Sequence, residues 1–209
     1  MFTITPASHA DIPETAAVLA SAFVGDTVMS TLVHGDDRQR RLTGLFAALM
    51  RSGALRTGRV DVARRDSDGL ILGAAIWDAP RHRATLAAQL RELPGFVRAL
   101  GVRGLVSAAR LQAVLARHRP SEPHWYLAEI GVSEQARGAG VGSALLTSRL
   151  RKIDALEQPV YLESSNERNR ALYRRHGFTR MRTIAGIASA APAAMWREGR
   201  QNPVVAAGH

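Results

Sequence analysis

Residues 130–142 read IGVSEQARGAGVG, a polar, glycine-rich stretch that joins two apolar segments. The segment before it, residues 124–132, is dense in aromatic and β-branched residues and is typical of a strand. The segment after it, residues 141–153, carries leucines at helical spacing. A glycine-rich turn that leads into a helix aims unpaired backbone N–H groups at one point. The stretch therefore predicts a phosphate- or pyrophosphate-binding loop, with a plain strand–helix connection as the alternative.

Two familiar phosphate loops fit this stretch poorly. A Walker A loop needs a lysine followed by serine or threonine, and the stretch contains no lysine. A dinucleotide fingerprint needs glycine or alanine at its sixth position, where this chain has Ser143. Neither motif accounts for the loop.

The rest of the chain alternates between strand-like and helix-like segments. We expect further strands at residues 2–5, 59–63, 69–77, 160–163, 178–184 and 195–198, with a hairpin turn at 64–69. We expect helices at residues 11–24, 38–51, 141–153 and 167–175. Residues 82–117 predict a helical insertion, broken near Pro94-Gly95 or at residues 101–104.

Composition excludes several classes of site. The chain has 209 residues, of which 46% are hydrophobic, and this suits one domain with a sizeable core. It has no cysteine, which excludes a disulfide scaffold, a thiol nucleophile and a cysteine-ligated metal; we expect no metal site. The net charge of +10 suits a polyanion or a small anionic cofactor. Because the basic residues are scattered, we expect no nucleic-acid partner.

Location and membrane contact are also expectations from composition. No uninterrupted apolar run reaches the roughly 18–20 residues that span a membrane. The first ten residues lack a basic start followed by an apolar block. We therefore expect a cytoplasmic protein, monomeric or homodimeric, without a membrane partner.

The loop and the segment after it resemble a known enzyme family. Residues 135–140, QARGAG, match the Q/R-x-x-G-x-G/A signature of the GCN5-related N-acetyltransferase (GNAT) superfamily. Asn166, then the run Ala171-Leu172-Tyr173, then Gly177-Phe178, reproduce the family's N…A-x-x-Y…G-F pattern in the same order. Residues 117–128, 161–166 and 77–80 further resemble puromycin N-acetyltransferase-like members.

The resemblance implies a fold and a donor. It implies one α/β (α+β) domain over residues 1–199, with a mixed, mostly antiparallel sheet of six to seven strands flanked by helices. Residues 200–209 are expected to form a flexible tail. The donor would be acetyl-CoA, and a small-molecule amine, such as an aminonucleoside-type antibiotic, would accept the acetyl group by direct attack.

The family pattern also carries over site residues. The backbone of Ile130 and Val132 would pair with the pantetheine arm, and residues 137–143 would hold the pyrophosphate. The expected cofactor-binding residues are Ile130, Gly131, Val132, Gln135, Arg137, Gly138, Ala139, Gly140, Val141, Gly142, Ser143, Asn166 and Tyr173. Asn166 also fits an ordinary helix N-cap. Tyr173 stands where many members keep the acid that protonates the departing thiolate, with a core-packing tyrosine as the alternative.

The general base has three candidates, ranked Glu163, His124 and Glu129. Glu163 ends a short apolar strand, so its carboxylate could emerge beside the thioester. His124 shares the parity of Tyr126 on its strand, whereas regular alternation places the neighbours of Glu129 on the opposite face. Each could instead be a solvated strand-edge residue, and a water chain without a base is a further alternative.

The acceptor pocket is defined only by analogy. Phe23, Trp77 and Tyr126 could line the pocket, although Trp77 and Tyr126 could equally be aromatic residues of the core. Asp26, Asp36 and Asp37 could attract a cationic amine or cap helices. A protein or peptide amine remains an alternative acceptor, and a catalytically silent acyl-CoA sensor remains an alternative function.

Overall fold

A computed structural model describes residues 1–33, 35, 37–55, 59–80, 85–187 and 190–199. The strands are β1 (Phe2–Pro6), β2 (Arg59–Arg65), β3 (Ile71–Asp78), β4 (Trp125–Val132), β5 (Val160–Ser164), β6 (Thr179–Thr183) and β7 (Ala193–Arg197). The helices are α1 (Ile12–Phe23), α2 (Arg38–Leu49), α3 (Leu86–His118), α4 (Val141–Asp154) and α5 (Glu167–Arg175). The expected mixed sheet with flanking helices is confirmed, and it has seven strands. Asp36, residues 82–84 of the insertion and the tail at 200–209 lie outside the described residues.

The strands form one sheet in the order β1-β2-β3-β4-β5-β7-β6. Every neighbouring pair is antiparallel except β4 and β5, which run parallel. The parallel pair is also the shortest, because it joins only Trp125, Tyr126 and Leu127 to β5. β4 continues to Val132 beyond that pairing, so the sheet forks between its two central strands.

A β-bulge interrupts β4 at the fork. The register with β3 passes from Trp77 opposite Leu127 to Ile76 opposite Glu129, which leaves Ala128 as an extra residue. A bulge reverses the alternation of side chains that follows it. Ala128 and Glu129 consequently lie on the same face of the sheet, which is the face covered by α1.

Helices cover both faces of the sheet. On one face α1, α2 and the first half of α3 enclose a core that includes Leu19, Leu42 and Phe46. On the other face α4 packs over a second core that includes Trp77, Leu145 and Leu162. The second face also holds a buried ion pair between Asp61 of β2 and Arg149 of α4, with an Nε–Oδ2 distance of 2.8 Å.

The insertion is one long helix with a kink. Gly101 has φ of 66° inside α3, whereas Pro94 is accommodated within the helix, so the break falls at the second of the two expected places. The helix exposes a row of apolar side chains on its outer face, namely Leu86, Leu90, Leu93, Val97, Val102 and Val106. Over 18 residues α3 has a mean hydropathy of 1.3, enough by length and composition to span a membrane. The expectation that no uninterrupted apolar run reaches this length still holds, because arginines interrupt the apolar stretch of α3.

Candidate active site

The fork leaves one edge of β4 open where the family resemblance expects the donor. Five residues of β4, from Ala128 to Val132, extend past the last pair with β5. An extended ligand arm can pair with such an edge as an additional strand. Ile130 and Val132 lie on this edge. Gly131 lies against α1, because a Cβ atom at this position would be only 2.8 Å from the Cβ of Ala22. Its side of the strand is therefore closed by α1, and only its backbone is available to a ligand.

The glycine-rich loop ends in a left-handed glycine that starts α4. Gly138 and Gly140 have φ of 83° and 79°, and Gly140 is the N-cap of the helix. The first helical hydrogen bond runs from the N–H of Ala144 to the carbonyl of Gly140. Helix geometry leaves the N–H groups of the preceding turn without intrahelical acceptors, and these suit a pyrophosphate. A Cβ at Gly140 would meet no protein atom within 4 Å, so the space in front of the loop is open.

Side chains around the loop add charge and fixed hydrogen bonds. Gln135 and Arg137 are exposed, and the Arg137 guanidinium lies 3.8 Å from Glu134. The Ser143 hydroxyl contacts His176 Nε2 at 2.9 Å. Burial, together with Arg175 and Arg197, lowers the pKa of His176, which favours the neutral ring. The contact with a neutral imidazole orients the Ser143 hydroxyl at the start of α4.

A second open surface continues from the loop along the outer side of α4. It is a trough lined by Gly140, Ser143, Ala144, Thr147, Ser148, Arg151 and Lys152. Its far end carries two cations and its near end carries the helix N-terminus. Both ends therefore favour phosphate groups.

A cavity of about 280 Å³ opens beside the fork. Its polar lining comes from β4, from β5, from α5 with the residues just before it, and from the turn after α1. These polar residues are Asp26, Tyr126, Glu129, Glu163, Ser165, Asn169 and Tyr173, with Gln112 from α3. Its apolar lining includes Phe23, Val28, Met29, Leu32, Leu45, Leu49, Phe96, Leu100, Leu105, Ala108, Leu111 and Leu115. The cavity thus joins the free edge of β4 to the inner face of α3.

Glu129 projects into this cavity because of the bulge at Ala128. Burial raises its pKa well above the ordinary value, and the nearby charges of Asp26 and Glu163 raise it further. A carboxylate with a raised pKa is a stronger base than an exposed one. The ranking that placed Glu129 last rested on regular alternation, which the bulge at Ala128 removes.

Glu163 lies on the same wall, but two neighbours engage it. The Tyr126 hydroxyl donates to Glu163 Oε2 over 2.6 Å. The Arg119 guanidinium lies 3.9 Å from the centroid of the Tyr126 ring, and its Nε is 3.5 Å from Glu163 Oε1. That longer contact lacks hydrogen-bond geometry, so Oε1 accepts no hydrogen bond within the described part of the chain. Glu163 is therefore held in place on the cavity wall by Tyr126 and Arg119.

Tyr173 is buried on the α5 side of the cavity and packs edge-on against Phe178, with ring centroids 5.9 Å apart. Burial raises the pKa of its hydroxyl, and the charges of Glu129 and Asp26 raise it further. A phenol in this environment stays protonated, as a proton donor must. The environment of Tyr173 is therefore compatible with the acid role that the family pattern implies.

Several expected site residues lie elsewhere. His124 is absent from the described cavity wall; its Nδ1 contacts the Glu122 carbonyl at 2.6 Å and its ring packs on Tyr161 and Trp196. Trp77 is fully buried in the core on the α4 side and also lies off the cavity wall. Phe23 and Tyr126 do line the cavity. Of the two expected helix caps, Asp37 precedes α2 without a side-chain cap bond.

Asn166 caps α5, because its side-chain oxygen accepts a hydrogen bond from the N–H of Asn169 over 2.9 Å.

Sequence reasoning missed Arg119 and the inner face of α3. Arg119 lies between α3 and β4 in the run 117–128 that carries the subfamily resemblance, but no pattern marks it as a site residue. The helical spacing of apolar residues in α3 is the signal that could have indicated its inner face. The described residues contain no cluster of three or more potential metal ligands.

Comparisons with known proteins agree with this geometry. The family described as "Acetyltransferase (GNAT) domain" matches residues 80–180. A crystal structure described as a histone acetyltransferase and related acetyltransferase from Corynebacterium glutamicum is 32% identical and has a TM-score of 0.75. That match covers 97% of this chain and 99% of the other.

Two curated relatives are more distant. An uncharacterized N-acetyltransferase of Schizosaccharomyces pombe is 25% identical over 186 residues, which are 83% of this chain and 73% of that protein. A mycothiol acetyltransferase of Propionibacterium freudenreichii is 37% identical over 76 residues, or 35% of this chain and 24% of that protein. The fold, the glycine-rich loop and the match to the Corynebacterium structure over nearly the whole chain all support one assignment. The chain belongs to the GNAT acetyltransferase family, whose acetyl donor is acetyl-CoA.

Proposed function

We propose that this protein transfers the acetyl group of acetyl-CoA to the primary amine of a small molecule held in the cavity beside the fork. The observation that carries the proposal is the convergence of Glu129 and Tyr173 on one cavity at the open edge of β4. A cavity covered by α3 suits a small acceptor better than a peptide, which needs an open groove.

The chain supplies binding groups for the donor on both sides of the fork. Bound acetyl-CoA contributes an electrophilic thioester carbonyl. The free edge of β4 pairs with its pantetheine arm, the N–H groups after Gly140 bind its pyrophosphate, and the cations of the α4 trough suit a further phosphate. Together these contacts hold the thioester beside the cavity, so that the reaction between the bound partners becomes effectively unimolecular.

Glu129 and Tyr173 carry out the proton transfers of the reaction. Glu129 takes a proton from the bound ammonium, and the neutral amine attacks the carbonyl carbon. Glu129 passes this first proton to solvent. As the C–N bond forms, the attacking nitrogen loses its second proton to Glu129, and the C–S bond then breaks. Tyr173 then gives its proton to the departing thiolate, and solvent restores the phenol. The raised pKa of Glu129 favours proton uptake, and that of Tyr173 keeps the phenol protonated before transfer.

The test is the release of free CoA thiol from acetyl-CoA with a panel of amines, together with identification of the N-acetylated product by mass spectrometry. We expect turnover with at least one small amine and little with a basic peptide. Preferred turnover of the peptide would show a protein acceptor. Binding of acetyl-CoA without turnover of any amine would favour a silent sensor.

The subfamily resemblance gives a second acceptor to include in the panel. Residues 117–128 contain Arg119 and Tyr126, which hold Glu163 at the cavity wall. Because this run resembles the puromycin N-acetyltransferase-like members, an aminonucleoside antibiotic is the alternative acceptor. Rates with puromycin, measured beside those of simple amines, decide between the two.

A further inference from the structure

The cavity separates polar from apolar groups along its length. Its carboxylates lie on β4, on β5 and in the turn after α1, close to the fork. Some apolar lining residues also lie on β4 and in the turn after α1, but the side of the cavity formed by α2 and α3 carries no carboxylate among the described residues. Gln112 is the polar exception among the described residues that α3 contributes. A ligand that satisfies both ends has one polar group at the fork and a hydrocarbon body beneath α3.

The polar end selects a cation. Asp26, Glu129 and Glu163 are all on the cavity wall, and the described wall residues include no lysine or arginine, although the chain carries a net charge of +10. Asp26 Oδ1 is already used, accepting from the N–H groups of Val28 and Met29 at 2.9 and 3.0 Å. Glu163 Oε1 is buried 3.5 Å from Arg119 Nε, so the carboxylate of Glu129 remains to receive an ammonium group, with the Glu163 carboxylate on the same wall.

The apolar end rejects further polar groups. Phe96, Leu100, Leu105, Leu111 and Leu115 form its α3 side. A hydroxyl or second ammonium placed against these side chains would lose its water without gaining a partner. A methylene placed there gains contacts instead.

We propose that the acceptor is an apolar primary monoamine, an alkyl or arylalkyl amine whose hydrocarbon body lies under α3. This inference rests on the proposed function and specifies its substrate. It disfavours aminosugars, polyamines and lysine side chains, all of which carry a second polar group beyond the reacting amine.

The first test compares kcat/KM for hexylamine and phenethylamine with the values for ethylamine, putrescine and glucosamine. We expect the two apolar amines to exceed the polar ones at least tenfold. Shortening the alkyl chain should cost about tenfold for each of the first methylenes removed. Equal or better turnover of putrescine or glucosamine would overturn the apolar assignment and leave the transferase standing. No turnover of any amine, with acetyl-CoA still bound, would contradict the transferase itself.

A matched pair of variants tests where the hydrocarbon body lies. Ala108 is half-buried on the cavity wall, whereas the next residue, Ala109, is exposed on the outer side of α3. Ala108→Leu should fill the apolar end and lower kcat/KM for hexylamine at least tenfold, with a smaller effect on ethylamine. Ala109→Leu should leave both values unchanged, and acetyl-CoA affinity should be unchanged in both variants. Identical hexylamine kinetics in the two variants would overturn the assignment.

A second variant, which enlarges the cavity instead of filling it, tests the same placement if Ala108→Leu fails to fold. Leu111→Ala removes side-chain volume from the same end of the cavity. It should shift the preference toward bulkier amines, so that the ratio of kcat/KM for phenethylamine to that for ethylamine changes relative to the wild type. An unchanged ratio would contradict the placement of the hydrocarbon body under α3.

Discussion

The hydroxyl of Tyr126 donates a 2.6 Å hydrogen bond to Glu163, and this bond separates the roles of the two glutamates in the cavity. With Arg119 stacked on the same tyrosine, the Glu163 carboxylate is held in a fixed position. Glu129 lies on the cavity wall near Asp26 and Glu163, and its pKa is raised. The fixed position of Glu163 suits binding of an ammonium group, and the raised pKa of Glu129 suits proton uptake.

Glu163→Gln should therefore act mainly on acceptor binding. A hydrogen bond to a charged group contributes about 1.5–3 kcal/mol, so we expect KM for the amine to rise about 10- to 100-fold. The KM for acetyl-CoA should change little. Glu122→Gln, at an exposed position before β4, is the control. A Glu163→Gln variant that loses kcat at unchanged amine KM would instead make Glu163 the base.

Tyr173→Phe should lower turnover without weakening the donor complex. Loss of a positioned proton donor costs about 10²- to 10⁴-fold in kcat. The ring still packs on Phe178, so the dissociation constant of acetyl-CoA, measured by calorimetry, should stay within about twofold of the wild type. Equal kcat in the variant would remove Tyr173 from the acid role.

Gly140→Asp should weaken acetyl-CoA binding. The left-handed φ of 79° disfavours any side chain, and the new carboxylate would face the pyrophosphate at the start of α4. We expect the dissociation constant to rise about tenfold or more. Gly69→Asp is the matched control, because Gly69 has φ of 76° and similarly open surroundings in the β2–β3 turn. Equal losses in both variants would mean that the effect is only backbone strain.

Asp61→Ala should destabilise the fold without altering the site. It leaves the guanidinium of Arg149 buried and unpaired between β2 and α4, at a cost of about 3–5 kcal/mol in the free energy of unfolding. Asp68→Asn, which removes an exposed pair with Arg65, is the control and should change stability little. Urea unfolding of both variants measures the difference, and equal midpoints would show that the buried pair contributes nothing.

The sequence was most informative where local chemistry decides the structure. The glycine signature located the loop and the start of α4, because only a left-handed residue fits at Gly140. The hairpin at residues 64–69, the cap of α5 at Asn166 and the break at Gly101 are likewise local. Each depends on one or two residues whose backbone preferences are strong.

The site was harder to predict because it depends on a register shift. Regular alternation places the neighbours of Glu129 on the opposite face, and Glu129 ranked third among the base candidates, whereas the bulge puts Ala128 and Glu129 on one face. No residue type in that strand marks a bulge. His124 and Trp77 were candidates as residue types, but their positions depend on tertiary packing, which places the histidine against Tyr161 and the tryptophan in the core under α4.

The central claim is that Glu129 is the base, and the pH dependence of kcat for the wild type and Glu129→Gln with one amine tests it most directly. Because only the deprotonated carboxylate can accept a proton, wild-type kcat should rise as the pH increases through the raised pKa of Glu129 and then level off. Glu129→Gln should be about 10²- to 10⁴-fold slower and lack that rise. The same profile at a similar rate in both proteins would contradict the account.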